Sequence, residues 1–131
     1  MKLTSLRLIS KDIKATVAFY EQVTGIIATW YTEDFAELSA DSITIAIGST
    51  RTMQMFSEGL TDFAGTKSTI IEFMVKNVDE EYERIKSMNS QIIQEPTTMP
   101  WGNRSLLFCD PDGNMINFFT PVSEEAVKKF S

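Results

Sequence analysis

The chain has 131 residues, of which 43% are hydrophobic and 23% charged, so it suits a folded domain and not a disordered or low-complexity protein. Twelve Lys and Arg against eighteen Asp and Glu give a net charge of -6, which argues against nucleic-acid binding because phosphate recognition depends on clustered cations. The sequence has one cysteine, Cys109, and no histidine. An intramolecular disulfide and histidine-based catalytic or zinc sites are therefore excluded within the chain.

Signals for a membrane, for secretion and for nucleotides are missing from the sequence. No apolar run approaches the roughly 18 residues that span a bilayer, and residues 1–7 lack the apolar stretch of a secretory signal. The six glycines are scattered and form neither a GxGxxG nor a GxxxxGK pattern. We expect a cytoplasmic protein that binds neither a membrane nor nucleic acid.

The first half of the chain predicts one strand, one helix and three further strands. Residues 3–10 alternate between apolar and polar types, as a half-buried strand does. Asp12 is a suitable helix cap and Gly25 a natural helix stop. Three strand-like runs follow at residues 26–31, 35–40 and 43–48.

The second half repeats this order. Residues 69–76 predict a strand, Asn77 is a plausible helix cap, and strand-like runs follow at 91–95, 104–109 and 114–120. A shift of 65 residues places Leu6 on Ile71 and Asp12 on Asn77 without a gap. Any two strand-helix units share part of this pattern, but a duplicated βαβββ module explains the match better.

These patterns predict a single domain over residues 1–131 with four parts. They are module one at 1–50, a linker at 51–68, module two at 69–121 and a C-terminal helix at 122–131.

Two segments carry a more specific signal. Residues 12–25 match the pattern D-x-x-x-x-x-x-F-Y-x-x-x-x-G, and residues 101–117 contain W-G-x-R followed by D-P-D-G-N-x-I. Together they resemble the vicinal oxygen chelate superfamily, which includes glyoxalase I, extradiol dioxygenases, fosfomycin-resistance enzymes and bleomycin-resistance proteins. The resemblance implies an α+β fold in which two βαβββ modules form an open, mixed eight-stranded cup. It also implies a homodimer, as in bleomycin-resistance proteins.

The resemblance places metal ligands at positions where this chain has unsuitable residues. The corresponding positions are Ser5, Ile70, Asn117 and either Thr44 or Ala46. None is a carboxylate or an imidazole, and hard cations need carboxylate charge. We therefore expect no metal and no other cofactor, and the metal-dependent chemistry of the family cannot be carried over.

Charged residues occupy neighbouring positions on the predicted strands. Because strand side chains alternate, Arg7 shares a face with Ser5, and Glu72 shares a face with Ile70. Arg7 and Glu72 are 65 positions apart, so the duplication makes them equivalent. We hypothesise that they pair at the floor of the cup in place of a cation; the alternative is that one or both face solvent.

Aromatic residues complete the predicted pocket. Phe119 should share a face with Met115 and Asn117, and Trp101 lies in a loop between Pro100 and Gly102. The ordinary alternative for any one aromatic residue is packing in the core. Four more aromatic residues lie on nearby strands or the linker: Trp30, Tyr31, Phe35 and Phe56.

The preferred function is metal-independent, non-catalytic binding of a small cationic or aromatic compound. Residues predicted to bind it are Ser5, Arg7, Phe56, Glu72, Trp101, Met115, Asn117 and Phe119. One alternative is a lyase, isomerase or dioxygenase in which Glu72 is the best catalytic candidate. Such an enzyme would use either an atypical metal site of Glu72 with Asn117 and Ser5, or metal-free acid–base catalysis. An interaction or regulatory module is the third possibility.

Overall fold

The computed structural model describes residues 2–54 and 69–131. The chain divides into two compact units, Met1–Thr66 and Lys67–Ser131, and each unit is considered by itself. The division falls inside the segment 51–68 that the sequence predicts as a linker. The prediction of a single domain with these four parts stays a prediction.

The first unit contains one four-stranded mixed sheet. Its strand order is β1-β4-β3-β2, with β1 parallel to β4 and the other neighbours antiparallel. The elements are β1 (Ser5–Ser10), α1 (Ile13–Thr24), β2 (Thr29–Thr32), β3 (Phe35–Ser39), β4 (Thr44–Ser49) and α2 (Thr50–Gln54).

The second unit repeats this topology with the order β5-β8-β7-β6. Strand β5 is parallel to β8, and the remaining pairs are antiparallel. The predicted α+β class with two βαβββ modules is confirmed, and neither sheet is closed. The elements are β5 (Ile70–Met74), α3 (Val78–Ser87), β6 (Ile92–Thr98), β7 (Asn103–Cys109), β8 (Met115–Pro121) and α4 (Glu124–Lys129).

Both predicted helix caps are confirmed. The Asp12 carboxylate accepts a hydrogen bond from the backbone N–H of Ala15 at 3.2 Å, and the Asn77 amide oxygen accepts from the N–H groups of Asp79 and Glu80. These side chains satisfy backbone donors that have no partner within a helix. The predicted stop at Gly25 is also confirmed, because this residue has the left-handed conformation with φ of 73°.

Three boundaries differ clearly from the sequence prediction, and one of them is the end of β6, which reaches Thr98 and not residue 95. Strand β2 begins at Thr29 and not at residue 26, because side chains of α1 take the preceding backbone donors. The N–H of Ile26 donates to Thr24 Oγ1 at 3.1 Å and that of Ala28 to Glu21 Oε2 at 2.8 Å. Residues at the start of the predicted linker form the short helix α2 instead.

Hydrogen bonds identify which side of each sheet faces its long helix. Ser10 Oγ donates to Thr16 Oγ1 of α1 at 2.9 Å, and Thr120 Oγ1 accepts from the N–H of Val78 at the start of α3. Since side chains alternate along a strand, residues next to Ser10 and Thr120 point to the opposite side. We call that side the distal face; it carries Ser5, Arg7 and Ile9 in the first unit and Met115, Asn117 and Phe119 in the second.

The side of the second sheet that faces α3 is an aromatic core. The Phe118 ring packs edge-on against Phe108 at 5.1 Å and against Phe73 at 5.7 Å between centroids. Phe108 and Phe118 are buried. Within the described residues, no helix is long and apolar enough to cross a membrane.

Candidate functional site

The distal face of the second unit borders a cavity of about 460 Å³. Its volume lies in the range of small-molecule sites, which is about 300–1,000 Å³. The walls combine aromatic rings with two charged side chains. The lining residues are Glu72, Met74, Trp101, Asn103, Phe119, Lys129 and Phe130.

Glu72 is the carboxylate of this cavity, and its neighbour on β8 holds it in place. The register of β5 and β8 sets Glu72 opposite Asn117, and Asn117 Nδ2 donates to Glu72 Oε2 at 2.7 Å. A carboxylate only accepts hydrogen bonds, so this contact fixes which way the amide points. Glu72 is exposed while Asn117 is 8% exposed, so a buried group orients an accessible charge.

Aromatic side chains from three parts of the unit form the apolar walls. The Phe119 ring on β8 packs against Phe130 beyond α4, with centroids 5.0 Å apart. Trp101 lies in the loop before β7 and is 64% exposed. Lys129 Nζ lies 5.2 Å from the centroid of Phe130. The exposed Trp101 ring suits a flat apolar or cationic guest.

Gly102 joins the Trp101 loop to the C-terminal helix. Its carbonyl accepts hydrogen bonds from the N–H groups of Val122 and Ser123 at 2.9 and 3.0 Å. Its φ is 95°, and a Cβ there would lie 1.9 Å from Ser123 Oγ. Ser123 also caps α4 by accepting from the N–H of Ala126. Only glycine therefore lets the loop that carries Trp101 meet the helix that leads to Phe130.

Three buried polar oxygens lie on the distal face of the second unit. Asn103 Oδ1, Ser105 Oγ and Asn117 Oδ1 are buried and have no hydrogen-bond partner among the described residues. A buried polar group without a partner costs about 1–3 kcal/mol. The exposed Glu72 carboxylate is an acceptor on the same face that a ligand can reach.

The distal face of the first unit is built from different groups. Arg7 Cζ lies 4.7 Å from the centroid of the Phe35 ring, and the Tyr31 and Phe35 rings are 6.1 Å apart. A hydrogen bond to Glu37 raises the pKa of Tyr31 above its ordinary value. Both Arg7 and Ser5 are exposed. Because Arg7 and Glu72 belong to separate units, their pairing stays a prediction.

The predicted site residues divide into four groups. Glu72, Trp101 and Phe119 line the cavity, with Asn117 beside Glu72. Met115 shares the distal face but does not line the cavity, and Ser5 and Arg7 belong to the other unit. The predicted contribution of Phe56 lies outside the described residues. Their roles in binding stay predictions.

Sequence reasoning did not assign four of the lining residues to the site: Met74, Asn103, Lys129 and Phe130. Lys129 reads as a charge that complements the end of a helix dipole, and nothing in the local pattern shows that α4 returns to the sheet. For Lys129 and Phe130, the available signal was the apolar side chain of Phe130 at the end of an otherwise polar helix.

The residues at the family's metal positions do not fit a metal ion. In the second unit, Ile70 has no donor atom, and Asn117 offers one neutral amide oxygen beside a single carboxylate, that of Glu72. In the first unit, Ser5 is paired with Thr44, a second hydroxyl, and Arg7 stands opposite Ala46. Within residues 2–54 and 69–131, no three or more His, Cys, Asp or Glu side chains form a possible metal-binding group. No chemistry through a metal is derived for this chain.

Comparisons with known proteins agree with this architecture. A bleomycin resistance protein of Geobacillus stearothermophilus is 29% identical over 123 residues, which cover 85% of this chain and 90% of that protein. The uncharacterized protein YraH of Bacillus subtilis is 26% identical over 130 residues, with coverage of 91% and 98%. A crystal structure of a glyoxalase/bleomycin resistance protein/dioxygenase family enzyme from Burkholderia phytofirmans PsJN has a TM-score of 0.85 at 17% identity, covering 93% of this chain and all of that one.

The profile of one family spans most of the sequence. Residues 2–118 match it, so the match includes the first βαβββ module and the second as far as Phe118 in β8, the strand that carries Asn117. The chain therefore belongs to the glyoxalase/bleomycin resistance protein/dioxygenase superfamily.

Proposed function

We propose that this protein binds a small aromatic cation in the cavity of its second unit and sequesters it without chemical change. Relatives with 29% identity are bleomycin resistance proteins, which supports binding of an organic compound. The proposal concerns the site in this chain and does not depend on bleomycin as the ligand.

One observation carries the proposal: an exposed carboxylate is held at the wall of an aromatic cavity. Asn117 fixes one oxygen of Glu72 at 2.7 Å, and the carboxylate lines the same cavity as Trp101 and Phe119. A cation there gains an ion pair with Glu72 and contact with the faces of the rings. Because the amide already orients the carboxylate, little conformational entropy is lost on binding.

The side chains of the cavity favour binding over catalysis. Among its lining residues, Glu72 is the acid and Lys129 the basic group. The cysteine, Cys109, is buried on β7 and does not line the cavity. A nucleophile needs an adjacent base for activation, and the lining residues do not supply such a pair.

A panel of aromatic cations tests the proposal. We would titrate bleomycin A2, 4′,6-diamidino-2-phenylindole and crystal violet by calorimetry into the intact chain, into Glu72→Gln and into Trp101→Ala. Each variant should weaken binding about tenfold, which is the loss expected for one charged or aromatic contact. Trp30→Ala and Glu33→Gln are matched controls, since both residues are exposed in the first unit, and they should leave affinity unchanged.

The ligand recovered from the complex decides between sequestration and catalysis. Mass spectrometry after prolonged incubation should return each bound compound unaltered. Conversion of a compound that requires Glu72 would support the enzyme alternative and overturn sequestration. Absence of binding across the whole panel would also overturn the proposal.

A further inference from the structure

The cavity of the second unit holds a second charge that the proposed function leaves unused. Lys129, the last residue of α4, lines the cavity together with Glu72. No ion pair joins these two side chains, and Lys129 forms none with any other described residue. The Lys129 ammonium lies 5.2 Å from the centroid of Phe130.

Other groups hold each of these opposite charges in its place. The Asn117 amide binds Glu72 through Oε2, while the Phe130 ring attracts the Lys129 ammonium through its π-face. Opposite charges in a partly apolar cavity attract each other strongly when they are free to meet. Their separation therefore leaves both charges available to a guest.

We infer that the ligand of this cavity is a zwitterion with an aromatic body, and this inference rests on the proposed function. Its cationic group binds Glu72, its anionic group binds Lys129, and its ring lies between Trp101 and Phe119. A purely cationic guest would satisfy Glu72 and leave Lys129 without an anionic partner, so one favourable charge contact would be missing. A zwitterion compensates both charges and leaves the occupied cavity neutral.

Three ligands that share one ring test the inference. They are 4-(aminomethyl)benzoate with both charges at opposite ends, benzylamine with the cation alone, and benzoate with the anion alone. We would measure the affinity of each by ligand-observed NMR titration of the intact chain, at an ionic strength low enough to preserve charge contacts. The zwitterion should bind about tenfold more tightly than benzylamine, as one further charge-assisted contact predicts.

Variants at the two charges assign each end of the ligand. Lys129→Gln should abolish the advantage of the zwitterion and leave benzylamine binding unchanged or stronger. Glu72→Gln should weaken the binding of both the zwitterion and benzylamine. Lys128→Gln is the matched control, because this neighbouring lysine does not line the cavity, and it should preserve the advantage.

The outcomes separate this inference from the proposed function. Equal affinity of the zwitterion and benzylamine, or an advantage that survives Lys129→Gln, would overturn the inference. Benzylamine binding that still requires Glu72 would then leave sequestration of a cation intact. Failure of all three ligands to bind would overturn the inference as well, and the larger cations of the panel above would decide the proposed function separately.

Discussion

The distal faces of the two units share a backbone register but carry opposite charges. In the first unit Arg7 of β1 stands opposite Ala46 of β4, and in the second Glu72 of β5 stands opposite Asn117 of β8. The alanine offers no hydrogen bond, so the Arg7 guanidinium packs over the Phe35 ring. The asparagine offers an amide, so the Glu72 carboxylate is held at the sheet.

The duplication therefore supplies equivalent backbone positions, and the neighbouring side chains determine what the charged residue at each position contacts. The second unit also has a contact outside the shared topology. The Gly102 carbonyl of the Trp101 loop accepts hydrogen bonds from backbone N–H groups just before α4. This connection adds Lys129 and Phe130 to the walls of the cavity. A repeated sheet thus becomes a candidate site in one copy through a loop and a terminal helix.

The largest expected effect comes from the cores that face the long helices. Ile47 and Phe118 occupy equivalent positions, paired with Leu8 and Phe73 respectively, and both are buried. Phe118→Ala should lower the free energy of unfolding by about 3–5 kcal/mol and Ile47→Ala by about 2–5 kcal/mol, because each leaves a cavity. Urea denaturation followed by circular dichroism measures both, and a loss below about 1 kcal/mol for Phe118→Ala would contradict the aromatic core.

Gly102→Ala should have the next largest effect on the free energy of unfolding. Comparison with a glycine of the first unit distinguishes the two units. The new Cβ would collide with Ser123 Oγ, and the alanine would have to adopt a φ of 95°. We therefore expect a loss of about 2–4 kcal/mol in unfolding free energy. Gly25→Ala is the matched control in the first unit. Its φ is 73° with no atom within 4 Å of the new Cβ, so backbone strain alone should cost about 1 kcal/mol. Equal losses in chemical denaturation would refute the close contact at Gly102.

Asn117→Leu should weaken ligand binding without weakening the fold. The substitution removes the hydrogen bond that holds Glu72, so affinity for the aromatic cations of the panel should fall about fivefold. It also removes a buried oxygen without a partner among the described residues, so the free energy of unfolding should stay constant or rise. Calorimetric titration and urea denaturation of the same sample test both parts. A variant that binds as well as the original chain would show that the amide does not position Glu72.

Asp79→Asn should have the smallest effect on the free energy of unfolding, and this effect should be present at neutral pH and lost in acid. Arg104 donates two hydrogen bonds of 2.9 Å to the Asp79 carboxylate, which lowers the pKa of Asp79 below its ordinary value. Its contribution to stability is therefore present above the ordinary pKa and is lost as the pH falls through the lowered one. Because the pair is largely exposed, the variant should lose less than about 1 kcal/mol at pH 7. The two proteins should converge in thermal unfolding as the pH is lowered through the acid range, and a difference that stays constant from neutral to strongly acidic pH would exclude the ion pair as its cause.

The sequence by itself determined the duplicated frame. The alternation in β1 and β5, the caps at Asp12 and Asn77 and the stop at Gly25 are local signals, because each depends on residues a few positions apart. The same alternation placed Glu72 and Asn117 on distal positions of their strands before their pairing was known. The start of β2 and helix α2 escaped prediction. The Glu21 side chain of α1 accepts from the N–H of Ala28 before β2, and the Thr52 side chain of α2 donates to the Ser49 carbonyl at the end of β4.

Only the tertiary structure decided which residues line the cavity on the distal face of the second unit. The hydrogen bond from Asn117 to Glu72 joins residues 45 positions apart, and the return of α4 toward Phe119 depends on the close approach of Gly102 and Ser123. Such contacts are set by the path of the chain and by which groups find space and hydrogen-bond partners. The local sequence pattern does not encode such contacts. From the sequence alone, Lys129 and Phe130 are the end of a surface helix, whereas in the structure they line the same cavity as Glu72.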